Sequence, residues 1–219
     1  MGESPREAIE ATLGLVAREL TEEGFQLKPG PLLRRKREGQ GHVIHCQSSK
    51  WNRSGEFAGF RLTAWFESDI LSSWTKKRWP GRPTEIAKYD RVVSSMQIKR
   101  AGNPHHVEWD AVDPASRSEI AADVASLIRE QALPWFEMMS DPVTALSELV
   151  RSPIPSPPVV HYAIATGHSE DARRSIAALR EANVHFAKVL DDVRRNGKPP
   201  AYRNAFEPIA WAAVECGIA

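Results

Sequence analysis

The chain has 219 residues, 42% of them hydrophobic, and a net charge of +1, enough apolar material for one sizeable folded domain with or without a helical extension, which excludes disorder throughout. No apolar run reaches the roughly 18 residues a membrane span needs, and the N-terminus MGESPREAIE has no basic stretch followed by an apolar one, so neither a span nor a secretory signal is expected and the cytoplasm is the expected compartment. Only Cys46 and Cys216 occur, which makes no disulfide framework and no CxxC pair; both read as small buried hydrophobes.

In chain order, Ser4-Pro5-Arg6-Glu7 predicts a helix start, with Ser4 as N-cap, Pro5 at the first helical position and Glu7 reaching back to the cap. Ile9, Leu13, Val16, Ala17 and Leu20 then recur at helical spacing, and Gly24 is placed to end the helix before Phe25 enters the core. Residues 26–38 contain Leu32 and Leu33 followed by Arg34-Arg35-Lys36-Arg37. Basic residues on both faces suit an edge strand, which charge protects from pairing with other chains, while a phosphate-binding patch is the sharper alternative.

Residues 42–67 predict two adjacent antiparallel strands. Ile44 and Cys46 alternate with Val43, His45 and Gln47, and Phe60, Leu62, Ala64 and Phe66 alternate with Arg61, Thr63 and Trp65. Asn52, Ser54 and Gly55 supply the turn between them. Residues 70–75 fit a short helical turn before an irregular loop at Pro80, Gly81 and Pro83. Residues 95–99 and 106–112 read as short strands separated by Gly102-Asn103-Pro104.

Asp113-Pro114 predicts a second helix with Ile120, Val124, Leu127, Ile128 and Gln131 on one side, ending at Leu133-Pro134-Trp135-Phe136. Asp141-Pro142 opens a third, with Val143, Leu146, Leu149 and Val150 apolar. The proline-dense stretch 152–158 reads as a stiff linker. Beyond it the chain reads as helical: one segment stops at Gly167, and Ser169 caps a longer helix. On that helix Ala172, Ile176, Leu179, Asn183, Phe186, Leu190 and Val193 form a heptad-like seam. Asn196-Gly197 ends it, and a last apolar helix covers 209–216. The expected fold is therefore α+β, a mostly antiparallel sheet of four to five strands with helices on one face, followed by a helical C-terminal extension. Its expected organisation is a domain over 1–151, the linker 152–158 and the extension 159–219. The seam is expected to fold back on its own chain, making a monomer the expectation over a homodimer.

The order of Gly24-Phe25, Gln47-Ser48-Ser49-Lys50-Trp51-Asn52, Phe60-Arg61-Leu62 with Phe66, Trp109, and Leu133-Pro134-Trp135-Phe136 resembles an uncharacterised bacterial family known only as a domain of unknown function. The resemblance covers about residues 5–150. It implies a small α+β domain and carries no activity with it.

The motifs of common chemistries are missing. Neither HxxxH nor paired CxxC occurs; His45 and Cys46 point to opposite faces of one strand, as do His105 and His106, so no metal site is expected. There is no GxSxG, GxGxxG or GxxxxGK[ST], and Cys46 has no context that would lower its pKa. Carboxylate pairs such as Glu22-Glu23, Glu170-Asp171 and Asp191-Asp192 sit where solvated faces are expected. No catalytic residue and no cofactor are therefore assigned, and the chain is read as leaning away from an enzyme.

What remains is a surface. With helices over Phe60, Leu62, Ala64 and Phe66, the opposite face carries His45, Gln47, Arg61, Thr63 and Trp65, a mixture of aromatics and donors. The bland alternative is that the C-terminal helices cover that face. Charge is uneven: residues 28–100 carry 16 basic and 6 acidic residues, net +10, which suggests a basic sheet complementing acidic helices, or an anionic partner. Trp51, Trp74 and Trp79 read as exposed, and aromatics are enriched at interfaces. The leading expectation is a non-enzymatic module that binds another protein, of which a toxin-neutralising immunity partner is one bacterial version, through His45, Gln47, Trp51, Arg61 and Trp65. The alternatives are nucleic-acid binding through the basic region and an enzyme with a site assembled from scattered residues.

Overall fold

In the computed structural model, which describes residues 3–81, 90–99, 109–150, 157–197 and 206–219, Ser4 opens the first helix by a reciprocal cap. Its Oγ accepts from Glu7 N at 3.3 Å while the Glu7 carboxylate accepts from Ser4 N at 2.8 Å, satisfying two of the donors a helix start leaves orphaned. The helix, α1 (Pro5–Glu19), buries Ala8, Ile9, Leu13 and Val16, and Gly24 takes the left-handed φ of 80° that turns the chain into the sheet.

The chain is α+β, with an antiparallel sheet whose strands are β1 (Gln26–Lys28), β2 (Leu32–Arg37), β3 (Gln40–Ser48), β4 (Gly59–Ser68), β5 (Val92–Gln97) and β6 (Trp109–Asp110). Their spatial order is β1-β2-β3-β4-β5, and β6 also pairs with β4. The two neighbours divide the length of β4: β6 meets it at Gly59 and Phe60, while Ile98 N donates to Leu62 O at 3.2 Å just beyond β5. Two compact units can be distinguished, Met1–Glu67 with Ser95–Glu137, and Ser68–Ser94 with Met138–Ala219. The linker expected at 152–158 lies largely outside the described residues, as do Pro83, Gly102-Asn103-Pro104, His105 and His106.

In the first unit the expected pair of strands over 42–67 is present as β3 and β4, and Phe60, Leu62, Ala64 and Phe66 are all buried. The basic run, however, is not an edge strand. β2 pairs with β1 through Gln26↔Arg34 to Lys28↔Leu32 and with β3 through Leu32↔His45 to Arg37↔Gln40, so the edge is the three-residue β1. Turns close both sides of β2: Gly30, at φ 90°, folds β1 back onto one, and the two-residue turn Glu38-Gly39, whose φ values of 38° and 79° match the hairpin type that suits strand twist, brings β3 to the other.

Asp113 caps the next helical stretch, its carboxylate accepting from Ala115 N at 2.9 Å. A single 3-10 turn leads into α3 (Arg117–Leu127), which packs against α1. The sequence predicts that this helix ends at Leu133-Pro134-Trp135-Phe136. Instead the backbone widens into a π turn over Ile128–Ala132, Leu133 N reaching back to Ile128 O, and continues as α4 (Leu133–Ser140). The wider turn accommodates a proline that lacks an N–H and whose ring would strike the carbonyl four residues earlier.

In the second unit Ser68 caps α2 (Asp69–Arg78) by accepting from Leu71 N at 3.2 Å, and this helix extends the short turn expected at 70–75. Asp141 opens α5 (Pro142–Val150), accepting from Thr144 N at 3.0 Å. Leu146 is buried as expected, but Val143 is 61% exposed. Pro157 and Pro158 belong to α6 (Pro157–Ala165), where they start a helix, the position their fixed φ favours. Gly167, at φ 83°, ends that segment as expected.

The long helix expected from Ser169 is two helices, α7 (Ser169–Ala182) and α8 (Val184–Asn196). Ser169 is the first residue of α7 and His168 its cap, without a side-chain capping bond. Asn183 leaves the helical region at φ −139° and ψ 100°, closing α7 and capping α8, with its Oδ1 accepting from Phe186 N at 3.0 Å. An asparagine that bonds its own backbone competes with the helix, so the seam breaks there. Ala172, Ile176, Leu179, Phe186 and Leu190 are nonetheless buried, and Val193 is half-buried. α8 packs on α7 and on the last helix, α9 (Phe206–Glu215), which also meets α6, so the seam is covered by its own chain. No helix among the described residues is long and apolar enough to cross a membrane.

Candidate binding surface

The alternation of β3 and β4 puts the expected residues in two side-by-side pairs. His45 lies flat on Trp65, with ring centroids 4.5 Å apart and planes within 9°. Arg61 Nε donates to Gln47 Oε1 at 2.8 Å. His45, Arg61 and Trp65 are all half-buried, and Gln47 is exposed. Burial holds the His45 imidazole below its usual pKa, and the Arg61 guanidinium supplies a cation beside the stacked rings.

Trp51, the fifth expected residue, lies in the loop that follows β3 and is 67% exposed. The loop beneath it is tied down. Asn52 Oδ1 accepts from Gly59 N at 2.7 Å, and its Nδ2 donates to Ser48 Oγ at 2.8 Å and Gly59 O at 3.0 Å. Arg53 and Phe57 exchange both backbone hydrogen bonds, at 2.9 and 3.0 Å. A Cβ on Gly59 would sit 2.3 Å from the Phe57 ring, so the glycine lets that half-buried ring lie against the strand. Lys50 Nζ stands 4.8 Å from the Trp51 ring centroid, a cation–π contact on a side chain otherwise open to water.

The other tryptophans differ. Trp79 is buried (6% exposed) and Trp74 half-buried, so neither is the exposed anchor expected. Both pack on His161, with centroids at 5.1 and 5.5 Å, and Arg78 lies over Trp74 at 5.0 Å while pairing with Glu215 at 2.5 Å. Cys46 is buried and its thiol is pushed up to about 12 by that burial, whereas Cys216 is only half-buried.

One polar cluster in the first unit escaped the sequence reading. Arg35, 5% exposed, donates from Nε to His42 Nδ1 at 2.8 Å and from its two Nη atoms to Glu23 O and Glu137 Oε1, each at 3.4 Å. Its guanidinium is held over Phe25 at 5.2 Å, and the His42 ring is stacked on Phe136 at 4.4 Å. Burial, reinforced by Arg35 and Arg37, drives the His42 pKa down to about 4. The Glu38-Gly39 turn was the available signal, since a two-residue hairpin there sets Arg35 opposite His42. With both faces of this network covered by rings, it reads as core architecture. Among the described residues no group of three His, Cys, Asp or Glu side chains could hold a metal ion.

No curated protein and no solved structure matches the chain. Residues 16–138, which include Gly24-Phe25, the loop of Trp51 and the Leu133–Phe136 segment, match the family described as a domain of unknown function (DUF4304), and the chain belongs to that family.

Proposed function

We propose that the chain is a non-enzymatic, cytoplasmic protein-recognition module whose docking surface is the His45–Trp65 and Gln47–Arg61 stripe continued into the loop of Trp51. The observation that carries this reading is the 67% exposure of Trp51 on a loop held by the Asn52–Gly59 bonds. Tryptophan and arginine dominate the residues on which interfaces depend, and a pre-ordered loop lowers the entropy cost of association. An immunity protein that neutralises a toxin is one form such a module takes. Several arginines of the basic stretch already have carboxylate partners: Arg34 with Glu67, Arg37 with Glu137, Arg78 with Glu215 and Arg91 with Asp69. That internal neutralisation favours a protein partner over nucleic acid.

The test is affinity capture from the source cells with the wild-type chain, Trp51→Ala and Arg61→Glu side by side. A specific partner retained by wild type and lost from both variants supports the reading; identical captures from all three oppose it. A gel shift with mixed-sequence DNA and RNA across salt concentrations tests the nucleic-acid alternative, for which tight binding that weakens steeply with salt would be the signature.

A further inference from the structure

Beside the loop of Trp51, within the first unit, lies a cavity of about 220 Å³. It is lined by the buried Ala8 of α1 and Ala58 at the end of the loop, by the half-buried Val112 and exposed Pro114 beyond β6, and at its rim by the exposed Arg53 and Glu3. Small-molecule sites usually occupy about 300–1,000 Å³, so this volume suits a single apolar side chain better than a free ligand.

The walls are fixed by bonds between distant stretches. Asp110 Oδ1 accepts from both Ala58 N at 2.9 Å and Val112 N at 3.1 Å, Ala111 N donates to Ala58 O at 3.1 Å, and Ser54 Oγ donates to Glu3 O at 3.0 Å. The two rim charges differ in availability. Glu3 is held by Arg117, whose Nη1 donates to it at 3.1 Å and whose own side chain is 9% exposed. Among the described residues the Arg53 guanidinium pairs with Glu56, at 3.6 Å, with the two side chains 74% and 69% exposed, so solvent screens the pair and little holds it. An incoming carboxylate can therefore recruit Arg53 at little cost. Lys50, above Trp51, adds a second cation on the same loop.

Resting on the protein-recognition reading, we propose that this cavity is the specificity pocket of the docking surface. It takes one leucine-sized side chain from an acidic segment of the partner, a neighbouring carboxylate of that segment pairs with Arg53, and Trp51 packs along its backbone.

The isotope-labelled full chain, titrated with a capped Gly-Ser decapeptide carrying a central Glu-Leu-Glu, tests this by NMR. The expected result is movement of the Gly55 and Ala58 amides and the Trp51 indole, with affinity lowered roughly tenfold or more by Leu→Gly in the peptide, by Glu→Gln in the peptide and by Arg53→Glu in the protein. Equal affinity for the glycine peptide, no shifts at millimolar peptide, or oligothymidylate producing the same shifts more tightly would each overturn it. Arg53 is exposed, so its variant folds. If Trp51→Ala abolishes partner capture while Arg53→Glu does not, the pocket assignment fails and the recognition reading stands.

Discussion

Arg35 and His42 sit directly opposite each other on β2 and β3, and Arg35 Nε donates to His42 Nδ1 at 2.8 Å in the core of the first unit. The bond fixes the tautomer: Nδ1 must be the unprotonated acceptor, so the proton is on Nε2. Adding a second proton would set two donors against each other beside two guanidinium groups, Arg35 and Arg37, with Phe66 and Phe136 covering the ring.

Stability is therefore expected to depend on acid through His42. Its folded pKa of about 4 lies below the ordinary 6.5, so the unfolded chain takes up the proton first. The contribution is complete above pH 6.5 and is lost as pH falls toward 4, amounting to about 3 kcal/mol at most. Thermal melts between pH 4 and 8 should show this slope. His42→Phe should be less stable at pH 7, because Arg35 loses its acceptor, and should have a flatter profile over that range; an unchanged slope in the variant would refute the assignment.

The tryptophans should separate by burial. Trp109, 2% exposed and bonded from Nε1 to Asp123 at 2.6 Å, should cost about 3–5 kcal/mol on replacement by alanine. Trp51→Ala should change stability by about 0.5 kcal/mol or less, as for an ordinary surface site. Trp65→Ala, which loses a half-buried ring and the His45 stack, should fall between them. Denaturant melts of the three variants check the order.

Gly41 should not tolerate a side chain. A Cβ there would stand 2.5 Å from Glu67 Oε2 and 3.1 Å from Glu67 Cβ, and Glu67 is buried where it pairs with Arg34. Gly41→Ala should destabilise by about 1–3 kcal/mol, the usual range for overpacking. Combining it with Glu67→Ala should recover part of that loss, as a double-mutant cycle would reveal.

The break in the seam makes Asn183 a cap rather than a pairing residue. Asn183→Ala should cost about 1 kcal/mol through the lost bond to Phe186 N, and Asn183→Asp should cost little. Sedimentation should find wild type and both variants monomeric, since Phe186 and Leu190 are buried against α9 and α7 of the same chain; a dimer dissociated by Asn183→Ala would contradict this.

What the sequence determined by itself is local. The Ser4, Asp113 and Asp141 helix starts, the glycine stops at 24, 167 and 197, and the alternation of β4 all rest on residues within one turn or one pleat of each other, where sterics and capping decide the outcome. That His45, Gln47, Arg61 and Trp65 share one face followed from that alternation, while the strand register set which of them touch. The tertiary structure alone decided where charge and aromatic surface went. Arg35 reaches Glu137, 102 residues away, and Arg117 reaches Glu3, 114 away, which turns arginines that composition marks as surface residues into buried or nearly buried ones. Trp79 is buried because His161 comes to it. Pro134 continues a helix because a π turn precedes it, and Asn183 divides one because its side chain caps the next. Long-range partners set burial and desolvation, which no local pattern encodes, and the cavity beside Trp51 arises in the same way, from three stretches brought together by the sheet and its first helix.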